Sequence, residues 1–345
     1  MARKSNIELL RIVSMLLVLF LHANYPSLGS VTVSDIQSAP LPSFGRALAE
    51  QLCIIAVNVF VFISGWFGIK PSVKGFCSLM FQVLFYHTLI SGIAFCCGLS
   101  VSLSTLLMPV RFGIPYWFVV SYLVMYIMTP VLNTFIEKAS SKSLFAVVLL
   151  FYMMQTSTGF CAHFGGFHAG YSAISFIGLY LLARFIRLYS HKIILLSGLY
   201  NISLYILFST IPVLLYFITK KDFDSISYAS PFVIAATVFF FLSFNRLNFS
   251  SRLVNYMACS VFSVYLVHVH PFIWDFYRET MKKALEYLGA GEYLLFVVIA
   301  SILFTILCVL IDKVRLRVWN YVSRKILPTF VERFESLFNK IHSAI

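Results

Sequence analysis

Arg11 and His22 stand in the first hydrophobic stretch of the chain, Ile7-Glu8-Leu9-Leu10-Arg11 running on through Met15 and Leu19 to His22. Ionisable side chains are expensive to bury there, which makes both residues candidates for function. At about 100° per residue, their spacing amounts to roughly three helical turns, so both project from one face, roughly 16 Å apart along the axis. One helix thus carries a cation near one membrane surface and an imidazole near the other. That geometry suits a large anionic ligand entering from one side and proton chemistry deeper in.

The composition identifies the solvent around that helix. Hydrophobic residues make up 60%, charged residues 11%, and mean hydropathy is +0.89, well outside the range of soluble domains. The fold expected is all-α, a polytopic transmembrane helical bundle. The net charge of +13 does not mark a nucleic-acid partner, because the basic residues punctuate hydrophobic spans instead of forming a patch. Glu8 and Arg11 inside the first stretch, and the lack of a small-residue cleavage site, argue that it stays in place as a helix.

Spans of about 20 residues predict about ten helices: 7–28, 50–69, 76–97, 116–136, 144–160, 171–188, 193–218, 228–244, 253–273 and 293–311. With the N-terminus cytoplasmic, eighteen basic residues fall on the cytoplasmic side and seven outside, Arg11 lying within the first helix. The asymmetry predicts that both termini are cytoplasmic. Residues 1–312 read as one membrane domain and 313–345 as a cytoplasmic, basic, amphipathic tail interrupted by Pro328. Membrane lipids are its expected surroundings.

The seven cysteines show no C-x-x-C spacing and read as small buried side chains. Cys161, His163 and His168 share a loop with four glycines, which reads better as a flexible entrance than as a metal site, and no metal is expected. His268 and His270 are about 200° apart on a helix and cannot share a face. Acidic residues within spans are nearly absent, Glu8 being the clearest, which argues against a Ser-His-Asp triad.

Four segments together carry a resemblance. They are I-E-L-L-R-I-V-S-M-L-L-V-L-F-L-H at 7–22, V-N-V-F-V-F-I-S-G-W-F at 57–67, Y-W-F-V-V-S-Y-L-V-M-Y-I-M-T-P at 116–130 and S-V-F-S-V-Y-L-V-H-V-H-P at 260–271. In this order they resemble the motifs of the acyltransferase-3 family of integral membrane acyltransferases. The resemblance implies transfer of an acyl group other than amino-acyl, most often acetyl, from acetyl-CoA to a hydroxyl of a glycan or lipid-linked sugar. It implies the bacterial cytoplasmic (inner) membrane and leaves the acceptor open. Two positions depart from the family pattern: Asn58, where many relatives carry Asp, and the loop with Lys70 and Lys74, where Arg is common.

Under that resemblance His22 is the general base, since O-acylation removes a hydroxyl proton and imidazole titrates near neutral pH, with an acyl-His intermediate as a variant. Arg11 either binds CoA or pairs with Glu8 one turn away. Lys70 and Lys74 either meet CoA phosphates or serve as topology anchors. Ser64 suits close packing beside a cavity, and Trp117 and Tyr126 read more readily as core aromatics than as ligand contacts. Tyr265 and His268 belong to the last motif, His268 being the second site histidine. The alternative reading is a transporter or flippase for a glycan or its precursor, which the sequence disfavours because no broken helix pair or repeat is legible.

Overall fold

The computed structural model describes residues 4–111, 116–162, 165–221 and 227–329. His163 and the tail positions Phe330, Arg333, Phe334, Phe338 and Lys340 lie outside them, as does Arg3. Among the described residues all regular structure is helical. The long elements are α1 Ser5–Leu28, α2 Pro40–Cys53, α3 Ala56–Phe67, α4 Val73–Cys96, α5 Trp117–Lys138 and α6 Ser141–Met154, which runs into a π-helical turn, Gln155–Cys161. They continue with α7 Ala173–Tyr189, α8 Gly198–Thr219, α9 Pro231–Asn245, α10 Arg252–Ala258, α11 Phe262–His268, α12 Pro271–Tyr287 and α13 Ala290–Lys325.

Local chemistry sets many of these starts. Ser72, Ser140, Ser172, Ser197 and Ser251 each precede a helix and accept a hydrogen bond from the N–H three residues on, satisfying a donor the helix leaves unpaired. Gly65 allows α3 to cross α7 closely: a Cβ there would lie 2.7 Å from the Tyr180 carbonyl oxygen.

Among the described residues seven helices are long and apolar enough to cross a membrane, α2 and α3 together forming one of them, against the ten spans expected from sequence. The difference has two sources. The helices at 171–188 and 228–244 are shorter than a full span, at 17 and 15 residues. The stretch at 253–273 is not one helix: α10–α11 and α12 meet at 84°, and an eighth span results only if that bent pair is counted as one. Pro271 is the physical reason. It disfavours helical backbone at the residue before it, and here His270 is extended, with φ −64° and ψ 133°, whereas Pro26 and Pro130 are accommodated inside α1 and α5. The sequence-based expectation that no broken helix pair exists is corrected by this bend.

Side-chain ties order the bundle around α1. At its start, Ser5 Oγ donates to Asn255 Oδ1 (3.1 Å) and Asn6 Nδ2 to the Phe244 carbonyl (3.1 Å). Lys313 Nζ donates to the carbonyl of Tyr256, beside Asn255 (2.8 Å), so the beginning of α1 and the later part of α13 lie at the same end. At the other end Tyr293 Oη reaches the Ala23 carbonyl (2.7 Å) and Arg278 Nε the Pro26 carbonyl (2.8 Å). The boundary expected at 312/313 falls inside α13, which is continuous to Lys325. Asp312 there accepts two bonds from Arg315 and one from Tyr86 Oη, a buried knot tying α13 to α4.

Candidate active site

Three cavities follow one another along α1. The first, about 380 Å³, is bounded by Glu8, Arg11, Phe60, Ser64, Phe118, Tyr122 and Phe262 among others. The second, about 80 Å³, includes His22, Val57, Phe60, Trp117, Phe118, Tyr171, Tyr228, Phe262 and Tyr265 in its wall. The third opens beyond Pro26. Phe60, Phe118 and Phe262 belong to both of the first two, so a partition of three aromatic rings from α3, α5 and α11 separates the cation from the imidazole. Phe118 is its hub, 6.5 Å from Phe60 and 6.3 Å from Phe262 between ring centres.

In the first cavity Arg11 Nε lies 3.8 Å from Glu8 Oε2, an ion-pair separation too long for a hydrogen bond. That nitrogen is buried and makes no hydrogen bond, leaving a donor for an incoming acceptor. Ser64 Oγ bonds the Phe60 carbonyl (3.1 Å) and lies 3.2 Å from Tyr122 Oη, which places two hydroxyls in the wall. α3 runs antiparallel to α1, passing Val57 at the His22 cavity and Ser64 at the Arg11 cavity. The turn after it, with Lys70 and Lys74, therefore lies at the Arg11 end. Both lysines are exposed and neither bounds that cavity. Tyr126 holds the turn, its Oη accepting from Ser72 N (2.8 Å) and donating to the Ser72 carbonyl (3.1 Å).

At the second cavity His22 Nδ1 lies 2.8 Å from His268 Nε2. The rings stack at 5.0 Å, with Trp274 edge-on to both and Tyr277 edge-on to His268 at 4.4 Å. Only one of the two facing nitrogens can carry the shared proton. With it on His22 Nδ1, Nε2 of His22 is left as a free base, held in orientation by its neighbour. Tyr277 Oη donates to the Leu19 carbonyl (2.8 Å), fixing α12 against α1. Within α1 itself, Ser27 Oγ donates to the His22 carbonyl (2.7 Å).

Around this centre Trp117 packs on Tyr171 and Tyr228, at 4.6 and 5.9 Å between rings. Asn58 is buried and bounds neither cavity, donating to the Tyr228 carbonyl (3.1 Å) and so positioning the loop before α9. The glycine-containing loop meets the site here, since Ala169 O accepts from Ser227 Oγ and Ala229 N, both at 3.2 Å. Among the described residues no three His, Cys, Asp or Glu side chains cluster as metal ligands.

His270 turns the other way, as its spacing from His268 requires. It is buried against His87 (4.9 Å between rings) and Ser91 Oγ (3.4 Å from Nε2), while His87 bonds Tyr116 Oη and the Thr105 carbonyl. Sequence reading missed Phe60, Phe118 and Phe262 as a partition, and Trp274 and Tyr277 as neighbours of the histidines. The last two stand three residues apart on an amphipathic helix, a spacing that places them on one face.

Each of the four motif segments contributes to the walls of these cavities: Arg11 and His22, Phe60 and Ser64, Trp117 and Phe118, and Phe262 with Tyr265. Compared with known proteins, residues 4–313 match a family model described as an acyltransferase domain, nearly the whole chain. No curated protein and no solved structure matches it.

Proposed function

For a chain that thereby belongs to the acyltransferase-3 family, we propose a membrane-bound O-acyltransferase that moves an acyl group, acetyl by preference, from acyl-CoA to a hydroxyl of a cell-surface glycan or lipid-linked sugar. The observation that carries the reading is the pairing of a histidine dyad with a cation-bearing cavity across one aromatic partition. Bound acyl-CoA supplies an electrophilic thioester carbonyl. Arg11 offers its Nε, which makes no hydrogen bond, to CoA phosphate or pantetheine oxygens, and the exposed Lys70 and Lys74 at the same end add positive charge for the nucleotide phosphates.

His22 Nε2 takes the hydroxyl proton as the new oxygen–carbon bond forms, and returns it to sulfur as the carbon–sulfur bond breaks. His268 holds the His22 ring in the orientation and tautomer this needs, and accepts the hydrogen bond of the transient imidazolium. The small volume at His22 favours acetyl: about 80 Å³ is the room of two to three water molecules.

The test is incubation of the purified protein with radiolabelled acetyl-CoA and a glycan extract. Label should pass to the glycan, and His22→Ala should abolish transfer while leaving CoA binding near wild type, because only the reaction step is lost. No transfer by the wild-type protein would reject the reading. Full transfer by His22→Ala would move the base to His268.

A further inference from the structure

The third cavity, about 550 Å³, opens one turn beyond His22 and is bounded by Pro26, Ser27, Arg46, Arg278, Lys282 and Glu286 among others. Three cations face one carboxylate there. Arg46 donates from Nε to Asn24 Oδ1 (3.1 Å) and from Nη2 to the Gly29 carbonyl (2.6 Å), and Arg278 donates from Nε to the Pro26 carbonyl (2.8 Å). These bonds fix both guanidinium groups against the carbonyl end of α1, where cations are favourable. A guanidinium has five N–H donors, so each keeps some free. Lys282 is exposed and has no hydrogen bond or ion pair among the described residues.

Position links this cavity to the chemistry. Trp274, Arg278 and Lys282 follow at four-residue intervals along one face of α12, so the helix that covers the histidine dyad also supplies two of the three cations. Four residues of α1 separate His22 from Pro26, about 6 Å of rise. The end of α1 opposite Arg11 is also the one where the distribution of basic residues leaves few cations, and topology gives no reason for three of them to converge there.

We propose that this cavity binds an anionic group of the acceptor, a carboxylate or phosphate borne by the sugar, and so presents a nearby hydroxyl to His22. The inference rests on the acyl-transfer reading and adds the acceptor class: acidic glycans or phosphate-linked sugars, chosen over neutral ones.

Binding of digalacturonate, galactose 1-phosphate and neutral digalactose to the detergent-purified protein, measured by calorimetry without acyl donor, tests it. One or both acidic ligands should bind and the neutral one should not; whichever binds identifies the anion as carboxylate or phosphate. Affinity should fall with added salt. Lys282→Glu should weaken it by about tenfold or more, and Lys282→Arg should retain it. Lys282 is chosen because its removal breaks no bond of the fold.

Equal binding of acidic and neutral sugars, or unchanged affinity in Lys282→Glu, overturns the proposal. So does a cavity that responds only to phosphatidylglycerol when the protein is placed in nanodiscs with and without that lipid, which would make it a headgroup site. Acyl transfer to neutral acceptors with no acidic binding would refute this inference alone. Acidic binding without any acyl transfer would instead refute the proposed reaction.

Discussion

Arg11 has two roles open to it, and the geometry separates them. Its Nε sits at ion-pair distance from Glu8 yet makes no hydrogen bond, so pairing with Glu8 leaves donor capacity in the cavity. If that capacity serves CoA, Arg11→Ala should weaken direct acyl-CoA binding by about tenfold or more, the worth of a charge-assisted hydrogen bond or two. Calorimetry on the folded variant checks this. Unchanged affinity would leave the Glu8 pair as the whole account of the residue. In the proposed reaction His268 acts through His22, because its Nε2 faces the His22 nitrogen and its Nδ1 is buried without a partner.

At the scale of elements, α3, α5 and α11 each place one phenylalanine between the two cavities along α1. In the proposed reaction the ring partition and the small volume beyond it limit the acyl group that can reach His22. The protein should discriminate against butyryl-CoA relative to acetyl-CoA by at least about tenfold, since a methylene too many in a tight apolar pocket costs roughly that. Phe60→Ala should narrow the ratio by enlarging the room, and Phe60→Leu should do so less. Competing the two labelled donors in one assay reads the ratio directly. A wild-type protein indifferent to chain length would remove the partition from acyl selection.

For the whole molecule the question is which end faces the cytoplasm. The start of α1, the turn with Lys70 and Lys74 and the later part of α13 lie at one end of the bundle, and the basic-residue asymmetry predicts that this end faces the cytoplasm. A cysteine introduced at Ser72 should therefore resist a membrane-impermeant maleimide in intact cells and react after permeabilisation. Ready labelling from outside would invert the orientation, and with it the sides from which donor and acceptor enter.

Sequence alone determined the helical membrane class, because runs of about 20 apolar residues suit helices, whereas the closed barrel, the other structure stable in lipid, is built from shorter segments of alternating polarity. It also determined that Arg11 and His22 share a face, and that His268 and His270 do not, since helical rotation is a local property. Tertiary structure decided the rest. A span that is apolar all round carries little signal of which side meets a neighbour, so the contact of His22 with His268, 246 positions away, was not legible. Neither was the shared wall of Phe60, Phe118 and Phe262. Pro271 was visible, but whether it would end a span or bend a pair depended on the packing of α12 against α1. That same packing brings Trp274 to the dyad and Arg278 and Lys282 to the third cavity.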